Sequence, residues 1–151
     1  VGGGGLLSGT AIAVTSLLPA ARVVAAEPEG ADDAYRSLEA GSIIPSVSPT
    51  TVCDALLTSL GELTFAVISE LVDRIVTVSD ESAIRAMRRV FERMKTIIEV
   101  SSAVPVAALT DCELELEGLE VGVILSGGNV DLDRLPWLER PYSGLRSRYC
   151  S

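Results

Sequence analysis

Val1-Gly2-Gly3-Gly4-Gly5-Leu6-Leu7-Ser8-Gly9-Thr10 is the stretch whose reading decides the fold. Each glycine costs roughly 1 kcal/mol in a helix interior relative to alanine, so four in a row predict a loop. Glycine also lets the backbone turn left-handed or approach another group closely. The apolar and small residues 6–18 follow and stop at Pro19, which predicts a buried helix. A glycine loop feeding a helix leaves unpaired N–H groups at the positive end of the helix dipole, an arrangement that suits a phosphate. The same four glycines also read as a flexible linker, and both readings stand until their neighbours are considered.

At 151 residues the chain has the size of one domain with a sizeable core. Hydrophobic residues make up 48% and aromatic ones only 4%, so the core must be aliphatic. A net charge of −9 argues against nucleic-acid or anionic-membrane partners. No apolar run reaches the roughly 18 residues of a membrane span, and residues 1–18 lack the Met and basic residues of a signal peptide. Cys53, Cys112 and Cys150 have no metal-type spacing and fit a reduced, cytoplasmic protein. Val1 standing directly before the glycines reads as a chain cut from something longer. There is no histidine, and Lys95 is the only lysine. A mechanism needing an imidazole base is excluded, and one needing an imine-forming lysine has a single candidate in this stretch.

Beyond Pro19, Arg22-Val23-Val24-Ala25-Ala26 predicts a short strand that ends at Glu27-Pro28. Acids at Asp32 and Asp33 predict the first turn of a helix closed by Gly41. Leu63, Val67 and Leu71, with Ile68 beside them, mark the buried face of a helix over residues 60–72. Ile75-Val76-Thr77-Val78 predicts the next strand, and Ser79 caps a helix with Ile84, Met87, Phe91 and Met94 as its apolar stripe. Arg85, Arg88, Arg89 and Arg93 form its solvated face, and Lys95 sits at its end, where a cation complements the dipole. A short helix over residues 103–109 follows. Residues 119–125 then form the clearest candidate for a buried strand, running into Ser126-Gly127-Gly128-Asn129. A small polar turn at the carboxyl end of a parallel strand is where open α/β sheets bind ligands, or simply a turn. The expected fold class is α/β, a partial three-layer sandwich around a mainly parallel sheet. Residues 1–139 form the domain. Residues 140–151 carry Arg140, Arg146 and Arg148 without an acid, a basic tail read as disordered or as an added extension.

Taken in order, Gly2-Gly3-Gly4-Gly5, Glu27-Pro28-Glu29-Gly30-Ala31-Asp32-Asp33, Leu60-Gly61-Glu62-Leu63-Thr64 and Leu125-Ser126-Gly127-Gly128-Asn129-Val130-Asp131 resemble serine racemase and the serine/threonine dehydratases. These are fold-type II enzymes that use pyridoxal phosphate (PLP). The resemblance covers residues 1–138 and implies the carboxyl-terminal half of the family's large domain. It implies that Gly2, Gly3, Gly4 and Gly5 hold the cofactor phosphate and that Ser126 hydrogen-bonds the pyridine nitrogen. Glu27, Asp33 and the carbonyl of Ala31 are similar to the family's divalent-cation site, for which hard oxygen donors suit Mg²⁺ or Ca²⁺. In the complete enzyme the substrate would be a small amino acid such as serine or threonine, undergoing racemisation or deamination to a 2-oxo acid and ammonia.

The departures are specific. Cys53-Asp54-Ala55 stands where the family usually has Ala-Asp-Gly, Glu99-Val100-Ser101-Ser102-Ala103 where it has Glu-Pro-Ser-Gly-Ala, and Ala66 where it has Pro. The family's cofactor-bearing lysine would lie outside this chain, so no residue here is assigned a catalytic role. The chain therefore reads as a fragment of such an enzyme, inactive alone, or as a truncated paralogue that binds phosphate or a cation or pairs with a full-length partner. An unpaired strand edge beside the glycine loop is expected to favour oligomers, a homo-oligomer first among them.

Overall fold

The computed structural model describes residues 1–138, and the basic tail lies outside them. The elements run α1 (Gly5–Leu17), β1 (Val24–Pro28), a 3-10 turn (Glu29–Ala31), α2 (Asp33–Ala40), a second 3-10 turn (Asp54–Leu56), α3 (Glu62–Leu71), β2 (Arg74–Val78), α4 (Asp80–Met94) and α5 (Val100–Asp111).

β1 and β2 pair in parallel, with Ala25 opposite Ile75, Ala26 opposite Val76 and Glu27 opposite Thr77. Side chains alternate across a strand, so this register sends Ala25 and Ile75 to one face and Ala26 and Val76 to the other. Ala25 and Ile75 join Ala11, Ala34, Leu60, Ile68 and Val72 in a core under α1, α2 and α3. Val78 joins Ala86, Met87, Val90, Ala103, Val104 and Ala107 in a second core where α4 packs on α5, with Ala26 and Val76 against it. The result is the expected α/β arrangement of helices on both faces of a parallel sheet. No described helix is long and apolar enough to cross a membrane.

Four expectations need correction. Residues 119–125 form no strand. Leu119, Val121, Val123 and Ile124 are all exposed, and the described sheet holds β1 and β2 alone, so no ladder takes up the backbone of these residues. Helix α1 is buried only at Ser8 and Ala11, since α3 covers one side, and Leu6, Leu17 and Leu18 face outward. In α3 Ile68 is buried and Val67 and Leu71 half-buried as expected, but Phe65 joins them and Leu63 is 86% exposed. That rotation turns Thr64 toward the glycines, where its hydroxyl donates to the Gly3 carbonyl (2.8 Å).

The stripe of α4 is likewise rotated, to Ala83, Ala86, Met87 and Val90. Alanines on α4 and α5 let the two helices approach closely, which pushes the longer Phe91 and Met94 to the rim. Phe91 meets Trp137 there, with ring centroids 6.3 Å apart. The arginine face behaves as expected: Arg85 pairs with Asp111 and Arg88 with Glu92.

Candidate functional site

The glycine run and the start of α1 make a cradle. Gly4 caps the helix at φ +82°, a left-handed conformation natural to glycine. A side chain on Gly4 would come within 2.8 Å of Leu60 and 2.9 Å of Thr64, and one on Gly2 within 3.1 Å of the Thr58 hydroxyl and 3.3 Å of the Ala55 carbonyl. Gly5, by contrast, faces open space. The Ser8 hydroxyl donates to the Gly4 carbonyl (2.7 Å), and no acid occupies the first turn of α1. The first helical N–H groups therefore keep their partial positive charge for an external anion. Residues 2–5 fit a phosphate on this geometry.

Two carboxylates lie beneath the cradle. Glu27 ends β1 on the α2 side and is 0% exposed, and Asp33 opens α2 and is 1% exposed. Glu27 Oε2 accepts from the Tyr35 N–H (2.7 Å), and Asp33 Oδ2 from the Leu60 N–H (3.3 Å). Glu27 Oε1 and Asp33 Oδ1 have no hydrogen-bond partner. The Val1 nitrogen donates to the Ala26 carbonyl (2.9 Å) and stands 4.0 Å from Glu27 Oε1. Burial pushes the Glu27 carboxyl up to about 7 and raises Asp33 as well. Ala31 closes the 3-10 turn between the two acids and is itself buried. Buried charged groups are normally paired or coordinate a metal, so two carboxylates with an orphan oxygen each fit a hard cation. No third His, Cys, Asp or Glu joins them among the described residues. The remaining ligands would be carbonyls and water. Leu60 ties both parts together, its side chain against Gly4 and its N–H on Asp33.

Ser126 is exposed on the turn that follows residues 119–125, and the α5 end holds that turn in place. Glu99 donates its N–H to the Gly127 carbonyl (3.0 Å), the Gly127 N–H donates to Ser102 Oγ (2.7 Å), and the Asn129 N–H donates to Glu99 Oε2 (3.0 Å). A Cβ on Gly127 would sit 2.6 Å from the Glu99 carboxylate. In the sequence Glu99 and Ser101 match the family's usual motif, and Ser102 stands out only as a departure from it. Their role depends on residues 46 and 25 positions away.

A family model described as "Pyridoxal-phosphate dependent enzyme" matches residues 1–127. The chain belongs to the pyridoxal-phosphate dependent enzymes. Among curated relatives of this PLP-dependent family, it is 47% identical over 137 residues to a beta-hydroxyaspartate dehydratase of Paracoccus denitrificans, covering 91% of this chain and 44% of the relative. It is 50% identical over 139 residues to a serine racemase of Dictyostelium discoideum, covering 89% of this chain and 43% of that one. Among solved structures, a maize serine racemase superposes with a TM-score of 0.85 at 40% identity, over 92% of this chain and 44% of that chain. A threonine deaminase superposes with a TM-score of 0.80 at 47% identity, over 87% of this chain and 48% of that chain. The chain thus spans less than half the length of these relatives.

Lys95 ends α4 in a left-handed conformation (φ 57°), and its ammonium donates to the Glu92 carbonyl (2.7 Å). α4 packs on α5, whereas the glycine cradle is walled by α1 and α3. We expect no borohydride-fixed PLP adduct at Lys95. Peptide mapping after reduction checks this, and an adduct lost in Lys95→Ala would contradict it. Cys53 is fully buried, and burial raises its thiol to about 11, so it is a poor nucleophile at neutral pH.

Proposed function

We propose that the protein carrying this chain is a PLP-dependent racemase or dehydratase of small 3-hydroxy amino acids, serine, threonine and 3-hydroxyaspartate being the class. The names of its relatives support the substrate class. The reading of the site rests above all on Gly4, left-handed and walled in at the mouth of α1, which gives the cofactor phosphate a bare backbone to approach. PLP, when bound, supplies the electron sink for breaking bonds at the amino-acid Cα. Residues 2–5 bind and orient its phosphate with N–H groups. Ser126 meets the pyridine nitrogen with a neutral hydroxyl, which leaves that nitrogen unprotonated and the sink weaker than an aspartate would. Glu27, Asp33 and the Ala31 carbonyl hold Mg²⁺ or Ca²⁺ and fix the floor of the cradle through Leu60. The exposed apolar residues 119–124 suit cover by further protein, in keeping with a homo-oligomer.

Gly5→Leu tests the cradle. A side chain there meets nothing within 4 Å of its Cβ, so the fold should persist. The new group would occupy the phosphate position, and PLP affinity should fall by roughly tenfold or more while thermal stability is kept. Unchanged affinity would refute the assignment. Assaying inversion of serine against release of ammonia and a 2-oxo acid decides between racemase and dehydratase.

A further inference from the structure

The first turn of α5 touches both proposed ends of the cofactor site. Glu99 caps the helix, and Ser101 and Ser102 are its second and third residues, both buried. Ser101 Oγ accepts from the Ala55 N–H (3.3 Å). The carbonyl of Ala55 is the group that would crowd a side chain on Gly2, 3.3 Å from the Cβ position. Ser102 Oγ accepts from the Gly127 N–H (2.7 Å), the residue next to Ser126. Adjacent hydroxyls on one rigid helical turn therefore grip one loop beside the glycine cradle and another beside Ser126. A family glycine at position 102 could make no such side-chain bond.

We propose that Ser101 and Ser102 are positioning residues that set the separation between the phosphate cradle and Ser126. Ser101 acts on the phosphate end through Ala55 and Gly2, and Ser102 acts on the pyridine end through Gly127. This rests on the reading of residues 2–5 and Ser126 as cofactor-binding groups. Neither serine touches the cofactor. Both act by leaving the contacting loops no other place to sit, which is how a supporting shell makes a site exact.

The test compares PLP with pyridoxal, which lacks the phosphate, by equilibrium titration of the purified protein. Ser101→Ala should weaken PLP several-fold and leave pyridoxal unchanged. Ser102→Ala should weaken both ligands by roughly fivefold to tenfold, the scale of one unmet buried N–H. That loss should vanish in a Ser126→Ala background, because the turn then has no contact to position. Ser102→Cys, close in shape but a weak acceptor, should move in the same direction if Ser102→Ala folds poorly. Wild-type affinity in the Ser102 variants overturns the proposal, as does a Ser102→Ala loss that persists undiminished without Ser126. A Ser101→Ala loss shared by pyridoxal overturns the phosphate-end half. If Ser126→Ala binds PLP like the wild type, the cofactor reading itself fails.

Discussion

Gly30→Ala is expected to cost about 3 kcal/mol or more in folding stability. A Cβ on Gly30 would lie 1.8 Å from the Thr50 carbonyl oxygen and 2.8 Å from its carbon. Both are backbone atoms, and the Thr50 N–H already donates to the Gly30 carbonyl (2.8 Å), so neither side of the contact can step aside alone. The 3-10 turn Glu29–Ala31 would have to move, and it links Glu27 to Asp33. A denaturant melt checks the loss, and any cation response should fall with it. Gly9→Ala is the matched control. Gly9 lies inside α1 with open space around its Cβ position, and alanine there should stabilise by up to about 1 kcal/mol. Equal stability of the two variants would mean that the Thr50 loop yields freely.

The second large effect is a pH dependence that a cation reverses. Burial raises the Glu27 carboxyl from 4.5 to about 7 in the folded state. The folded protein therefore holds a proton that the unfolded chain has released between those values. Stability from this group is full below about pH 4.5 and is lost as pH rises toward 7, roughly 3 kcal/mol if Glu27 acts alone. Asp33, also raised by burial, acts in the same direction. Without divalent cations, the protein should melt higher near about pH 5 than near about pH 8. Mg²⁺ or Ca²⁺ should raise the melting temperature at the higher pH and much less at the lower, because metal and proton compete for the same oxygens. Glu27→Gln should flatten both responses. A cation shift of equal size in wild type and Glu27→Gln, or one independent of pH, would place the cation elsewhere.

Much of the fold was legible without coordinates because its signals are local. Proline and glycine stop helices through their own backbone chemistry, so α1 ends before Pro19 and α2 closes at Gly41. The Ser79 hydroxyl caps α4 by accepting from the Ser82 N–H, as serine does at that position. The strand residues 75–78 are β-branched and uncharged, and β2 includes all of them. Gly4 was marked by its residue type as a place where the backbone can turn left-handed, and it does. Glu27 and Asp33 stood out only through the resemblance, because acids at the start of a helix are ordinary, and their burial comes from the packing around them.

Tertiary structure decided which face of each helix is buried and which extended run becomes a strand. Leu63 and Phe91 are as apolar as any core residue, yet contact with the glycines and with the alanine-rich α5 turned them outward. A helix repeats every 3.6 residues, so a small rotation to fit a neighbour exchanges one apolar stripe for the next. Residues 119–125 have the composition of a buried strand, but a strand exists only where another backbone completes its hydrogen bonds. The grip of Ser101 and Ser102 on Ala55 and Gly127 is of the same kind. Hydroxyls carry no address in the sequence, and only the packing of α5 against both loops assigns their partners.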